Sequence, residues 1–161
     1  MAGEHVRAID DLQELEELRQ LKARYCRYLD TKDVASWRAV FTTDVVVTLD
    51  MAVSVGAADP KTAPPLQGVD NFVPMVMGGL ENVATKHLEI QRSHTPELTL
   101  ASATTATGIW AMEDLLVFGD GRELFGAGHY HETYEKRDGS WRIKTLHLTR
   151  TILKMSGGND E

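Results

Sequence analysis

The chain has 161 residues, 42% of them apolar and 25% charged, which suits one domain with its own core and excludes a disordered or fibrous chain. Its 24 acidic residues against 17 basic ones give a net charge of −7, so a nucleic-acid backbone is excluded as a partner. The lone Cys26 excludes an internal disulfide and a multi-cysteine zinc site, and no apolar run reaches the ~20 residues of a membrane span. Residues 1–7 carry no signal-like apolar stretch, and the expectation is a cytoplasmic protein.

The first element is a helix from about Asp11 to Leu29, capped by Asp10 or Asp11, with Glu14 in capping-box spacing. Leu15, Leu18, Leu21, Tyr25, Tyr28 and Leu29 form its apolar stripe, and Glu14, Glu17, Arg24 and Arg27 take the other side. A short second helix, capped by Asp33 or Ser36, runs through Trp37 and Phe41, and the β-branched run Val45–Leu49 is a strand. Residues 50–67, with Pro60, Pro64 and Pro65, read as a long binding loop or lid. A third helix spans Val69–Leu80, with Pro74 in its first turn and Gly78-Gly79 ending it.

From Leu88 the pattern is β: Leu88–Ser93, Glu97–Ala101, Thr105–Leu116, Glu123–Arg137 and Trp141–Ile152. The turns Gly119-Asp120-Gly121 and Asp138-Gly139 make hairpins, hence antiparallel pairing. A long twisted antiparallel sheet curls, and the N-terminal helices cover its concave side. The expected fold is α+β: a cone-shaped half-barrel under about three helices, enclosing a pocket. It takes residues 11–152, with residues 1–10 as a flexible N-terminus and 153–161 as a solvated tail.

Residues 21–33, with Trp37 and Phe41, resemble the opening helices of the SnoaL-like group, within the cone-shaped superfamily named after nuclear transport factor 2. The later strands resemble it at His94–Leu98, Thr105–Asp114, Gly126–Glu135 and Asp138–Ile143, so the likeness covers roughly residues 12–152. Relatives include polyketide cyclases, scytalone dehydratase, bile-acid dehydratases, steroid isomerases and a dehydrochlorinase. The resemblance implies a cofactor-independent lyase or isomerase that abstracts a proton from a small apolar cyclic, polyketide, steroid or aromatic molecule. It also implies a homodimer or homotrimer, with neither nucleic acid nor membrane as partner. The alternative is a ligand-binding module that keeps the cone and lacks the base.

In enzymatic relatives an Asp just after the first helix pairs with a His on the first long strand, and the resemblance places that Asp at Asp30. A carboxylate at a helix C-terminus meets the negative end of the dipole, which with burial disfavours its charge. On a straight helix, Asp30 would lie off the apolar stripe. The same resemblance puts Gln91 where the His belongs, and glutamine does not titrate. His94 or His87 then supplies the imidazole, or the dyad is absent. Tyr25 and Tyr28 are candidates to polarise a substrate oxygen, with core packing as the alternative. Trp110 and Met112 alternate with Gly108 on one strand face and are candidate pocket walls, with Asp114 near the mouth.

His129 and His131, at i, i+2, with His147 on the next strand, have metal-pair spacing but sit beside Glu135 on a charged face; no metal is expected. Gly126 and Gly128 relieve curvature or allow close packing. Arg150 reads as a surface residue, with an acidic substrate or Asp30 as alternative partners, and Cys26 as inert.

Overall fold

The computed structural model describes residues 2–56, 61–81 and 92–157, and the side chains of 8–56, 61–81 and 95–157. Three helices, α1 (Ala2–Asp30), α2 (Val34–Ala39) and α3 (Val69–Leu80), accompany six strands. These are β1 (Phe41–Leu49), β2 (Leu66–Gln67), β3 (Arg92–Leu100), β4 (Thr105–Val117), β5 (Glu123–Arg137) and β6 (Ser140–Ser156). They form one curved, unclosed sheet in the order β2-β1-β6-β5-β4-β3. The α+β architecture expected from the sequence is the one observed.

Alternation along β4 and β5 builds the concave side. Gly108, Trp110, Met112 and Asp114 are buried on β4, as are Gly126, Gly128, Tyr130, Glu132 and Tyr134 on β5. Bulges at Ala127/Gly128 and Thr133/Tyr134 shift the β5–β6 register and add twist. Against this concavity α1 packs Leu18, Leu21, Tyr25, Cys26 and Leu29, joined by Trp37 of α2 and Phe72 and Val73 of α3. Tyr25, Trp37, Phe41 and Phe72 meet mostly edge to face, with ring centroids 5.1–5.8 Å apart.

Several boundaries differ from the expectation. No cap interrupts α1 at Asp10 or Asp11: the helix already runs from Ala2, through the segment expected to be flexible. Ile9 and Leu12 are exposed there, because these first turns lie beyond the sheet that buries the later ones. In α3, Pro74 lies past the first turn, with Asp70, whose carbonyl loses a partner, also on the exposed side. Gly78-Gly79 does not end that helix, which reaches Leu80. Pro96 does not split β3; a register shift between His94 and Glu97 absorbs it on an edge strand, where a missing N–H is tolerated. The final strand continues through the expected tail to Ser156, because Glu123, Leu124 and Phe125 supply partners.

One pairing is parallel. β1 lies beside β6 with Val46 opposite Thr145 and Leu49 opposite Leu148, and this joins the N-terminal half to the hairpin sheet. The described parts of the 50–67 segment are tied to that edge. Asp50 bridges to Thr62, Ser54 N donates to the Arg150 carbonyl at 2.8 Å, and Leu66 pairs with Val47.

Candidate functional site

The helix carries Asp30 further than a cap would. Because α1 stays helical to its last residue, Lys22, Cys26 and Asp30 follow one another at four-residue spacing along the side that meets the sheet. Lys22 and Cys26 are buried and Asp30 is half-buried. The apolar stripe read from leucines and tyrosines alone is therefore too narrow, and Asp30 lies along its true edge. Its Oδ1 is buried without a hydrogen-bond partner among the described residues. Burial raises the Asp30 pKa to about 6, and the C-terminal end of the helix dipole acts in the same direction.

Across the concavity, Arg150 of β6 reaches Asp114 of β4, with Nη1 2.8 Å from Oδ1. These strands are not neighbours; β5 runs between them. The contact exists because β5 has no side chain at the crossing. A Cβ on Gly126 would stand 2.0 Å from Arg150 Nη1 and 2.1 Å from Asp114 Oδ1, and one on Gly128 would stand 1.8 Å from the Thr149 carbonyl oxygen. The two glycines thus serve close packing. Both charged side chains are about nine-tenths buried, and Arg150 Nε has no partner among the described residues. Burial opposes the guanidinium charge, but the Asp114 hydrogen bond and charge, helped by Tyr130 and Tyr25, outweigh it and raise the Arg150 pKa. Arg150 is a fixed cation with an unused donor.

Nearer the N-terminal half of α1 lies a second buried polar chain. Lys22 Nζ donates to Glu132 Oε1 at 2.6 Å, with both side chains almost fully buried. The Tyr134 hydroxyl donates to the other Glu132 oxygen and accepts from Trp110 Nε1 at 2.7 Å. The Lys22 ammonium also sits over the rings of Tyr25 and Tyr130, 4.1 and 3.7 Å from their centroids. Burial, then the neighbouring Tyr130 and Glu132, push the Tyr25 phenol well above its ordinary pKa. Tyr25 therefore stays protonated, its hydroxyl hydrogen-bonded with that of Tyr130.

Residues 10–147 match the family model of the SnoaL-like domain, most of the chain. The chain belongs to the SnoaL-like family. Solved structures agree on the fold. A protein of unknown function from Mycobacterium tuberculosis shares 22% identity at a TM-score of 0.71, with 89% of this chain and 75% of that one covered. A candidate scytalone dehydratase from Novosphingobium aromaticivorans shares 17% at 0.74, covering 92% and 91%. A hexachlorocyclohexane dehydrochlorinase from Novosphingobium barchaimii also shares 17%, at 0.75, covering 94% and 96%.

Within this SnoaL-like frame the candidate residues separate. Tyr25, Trp110 and Met112 belong to one buried cluster where α1 meets the inner rows of the sheet, and Asp30 lies half-buried at the end of the same helix. Tyr28 does not join them. It lies in a cleft on the other side of α1, between α2 and the start of β6. His87 and Gln91 fall outside the described residues, and of His94 the structure describes the backbone alone. Position 94 pairs with Ala111, and position 93 with Met112 of the buried row. His129, His131 and His147 lie on the convex side, consecutive ring centroids 6.3 Å apart, with His147 Nε2 3.0 Å from Asp50 Oδ1. Among the described residues no three His, Cys, Asp or Glu side chains are grouped to hold a metal. Nor is any helix among them long and apolar enough to cross a membrane.

Arg150 is not a surface residue: the bulge at Ala127/Gly128 and the missing β5 side chains let it lie inward. Sequence reading also passed over Lys22 and Glu132. A signal existed for both: Glu132 shares strand parity with Tyr130 and Tyr134, and Lys22 stands four residues before Cys26 and after Leu18.

Proposed function

We propose that this SnoaL-like protein is a cofactor-independent lyase or isomerase that moves a proton on a small, largely apolar cyclic molecule bearing a carbonyl or leaving-group oxygen. Support comes first from Asp30. A half-buried carboxylate with an unpartnered oxygen and a pKa near 6 accepts and returns protons close to neutral pH. Asp30 either takes the substrate proton itself or holds the imidazole of His94 or His87 for that purpose. As the C–H bond breaks, negative charge grows on the substrate oxygen. Arg150 Nε and the Tyr25 hydroxyl are the donors suited to it, one permanently charged and the other unable to ionise. Trp110 and Met112 supply apolar wall. A lyase would then release the β-substituent, and an isomerase would return the proton to another carbon.

The test is solvent-deuterium incorporation and product formation over a panel of cyclic ketones, with and without β-leaving groups, followed by NMR. Asp30→Asn is expected to lower the rate on any accepted substrate by at least about tenfold, within the range a positioned acid–base group provides. Unchanged turnover removes Asp30 from the mechanism. Saturable binding of the whole panel without exchange or product in the parent protein instead identifies a ligand-binding module, the reading that Gln91 at the expected base position favours.

A further inference from the structure

On the side of α1 facing away from the sheet's concavity, three arginines stand apart from the acidic character of the chain. Arg24, Arg27 and Arg142 make no close ion pair among the described residues, although Arg27 acts at longer range on the charge of Asp33. This is unusual in a protein whose net charge is −7. The neighbouring acids are already engaged. Glu14 takes Lys136 at 2.6 Å and the Trp141 indole N–H at 2.6 Å, Glu17 stands 3.6 Å from Lys136, and Asp33 caps α2 through Ser36 N.

Two of these arginines line one cleft of about 270 Å³. Arg24 and Tyr28 come from α1, Ser36 from α2, and Ser140, Trp141 and Arg142 from the start of β6. A second hollow of about 300 Å³ adjoins it, shares Arg24, Ser140 and Trp141, and is also lined by Gln20 and by Glu17, whose carboxylate keeps the anion to the Arg142 side. The third guanidinium, Arg27, lies 4.7 Å from the centroid of the Tyr28 ring and adds positive charge beside the cleft. Hydroxyls, guanidinium donors and aromatic carbon in one hollow are the parts that grip an oxyanion carried on a flat apolar body. Each hollow alone is at the small end of organic-ligand sites.

We propose that this cleft binds a small organic anion, a carboxylate or phosphate ester on an aromatic or alicyclic body, at a site separate from the Asp30–Arg150 concavity. Arg24 and Arg142 hold the oxyanion, the Ser36 and Ser140 hydroxyls complete its shell, and Tyr28 contacts the apolar part.

The test is titration of the isotope-labelled full chain with phenyl phosphate, and with phenol as the neutral control, followed by amide and indole NMR shifts. Phenyl phosphate is expected to move the Trp141 indole and the Ser140 and Arg142 amides saturably, and phenol to leave them in place. Arg24→Gln and Arg142→Gln should each weaken binding about tenfold, and 0.5 M salt should weaken it further. Neither arginine pairs with another group among the described residues, so both variants should melt like the parent. Absence of saturable shifts at these residues, equal affinity in the double variant, or shifts confined to residues around Asp114 and Arg150 overturns the proposal. So does tighter binding of a hexaglutamate peptide, which would make the cleft a docking point for an acidic protein segment.

Discussion

Asp30 is stabilised in its protonated form, and this couples stability to pH in a defined direction. An unfolded aspartate titrates near ~3.9, whereas folded Asp30 titrates at about 6. Between those values the folded chain holds a proton that the unfolded chain has released, so Asp30 makes stability fall as pH rises through that window. Above pH ~6 the penalty is complete. Asp30→Asn removes the charge, and its melting temperature is therefore expected to exceed the parent's at pH 8 and to approach it at pH 4. Melting curves at the two pH values check this; a variant less stable than the parent at pH 8 contradicts the burial argument. The same substitution should slow proton transfer by at least about tenfold, a familiar opposition of activity and stability. Part of this was legible beforehand. The family likeness pointed to Asp30, but its inward placement depends on α1 remaining helical through residue 30, which the following Thr31-Lys32-Asp33 turn concealed. Arg150 stayed hidden for another reason: its burial depends on what β5 lacks at Gly126 and Gly128, two strands' worth of context that alternation along β6 does not contain.

The interface of α1 with β5 is where element-scale energetics concentrate. Helix and strand exchange one buried ion pair, Lys22–Glu132, whose remaining acceptor is filled by Tyr134. Such a pair costs desolvation on both sides, so its net contribution is small while it is intact, yet removing one member leaves an uncompensated buried charge. Lys22→Met is expected to destabilise the fold by about 3–5 kcal/mol, and Lys22→Met with Glu132→Met to recover much of that loss. Denaturant unfolding of the single and double variants measures both. A double variant no better than the single one would show that the pair stabilises through more than charge compensation. The elements themselves were largely readable. Helix α3 and strand β5 have the expected ends; hairpin turns bound β5, whereas α3 runs through Gly78-Gly79 to Leu80. Strand β3 was not, because Pro96 reads locally as a break and only its place at the sheet edge makes it tolerable.

For the molecule as a whole, the convex side of the sheet differs from the rest of the surface. Ile109, His131 and His147 lie across from one another on three strands, as do Ala111, His129 and Thr149, and Ile152 stands opposite Ala127. Ile109 and Ile152 are each more than a third exposed. On β5 and β6 these rows carry His, Thr, Ala and Ile and no carboxylate, so two acidic chains meet there with least repulsion, while Glu97 of β3 and Glu113 of β4 continue the rows outward. The expected mass in solution is that of a homodimer or homotrimer, measured by light scattering at neutral pH. Ile109→Lys is expected to shift it to the monomer, and a monomeric parent contradicts the expectation.

The parallel seam between β1 and β6 also orders events during synthesis. Val45 and Val47 are made early, yet the strand that covers their backbone edge lies in residues 140–156. A nascent chain halted on the ribosome before β6 would hold its first half with buried-type valines and an unzipped edge. Release of such a chain at successive lengths should reveal protease resistance arriving late and abruptly, as the last strand slots between segments made long before and immediately before it.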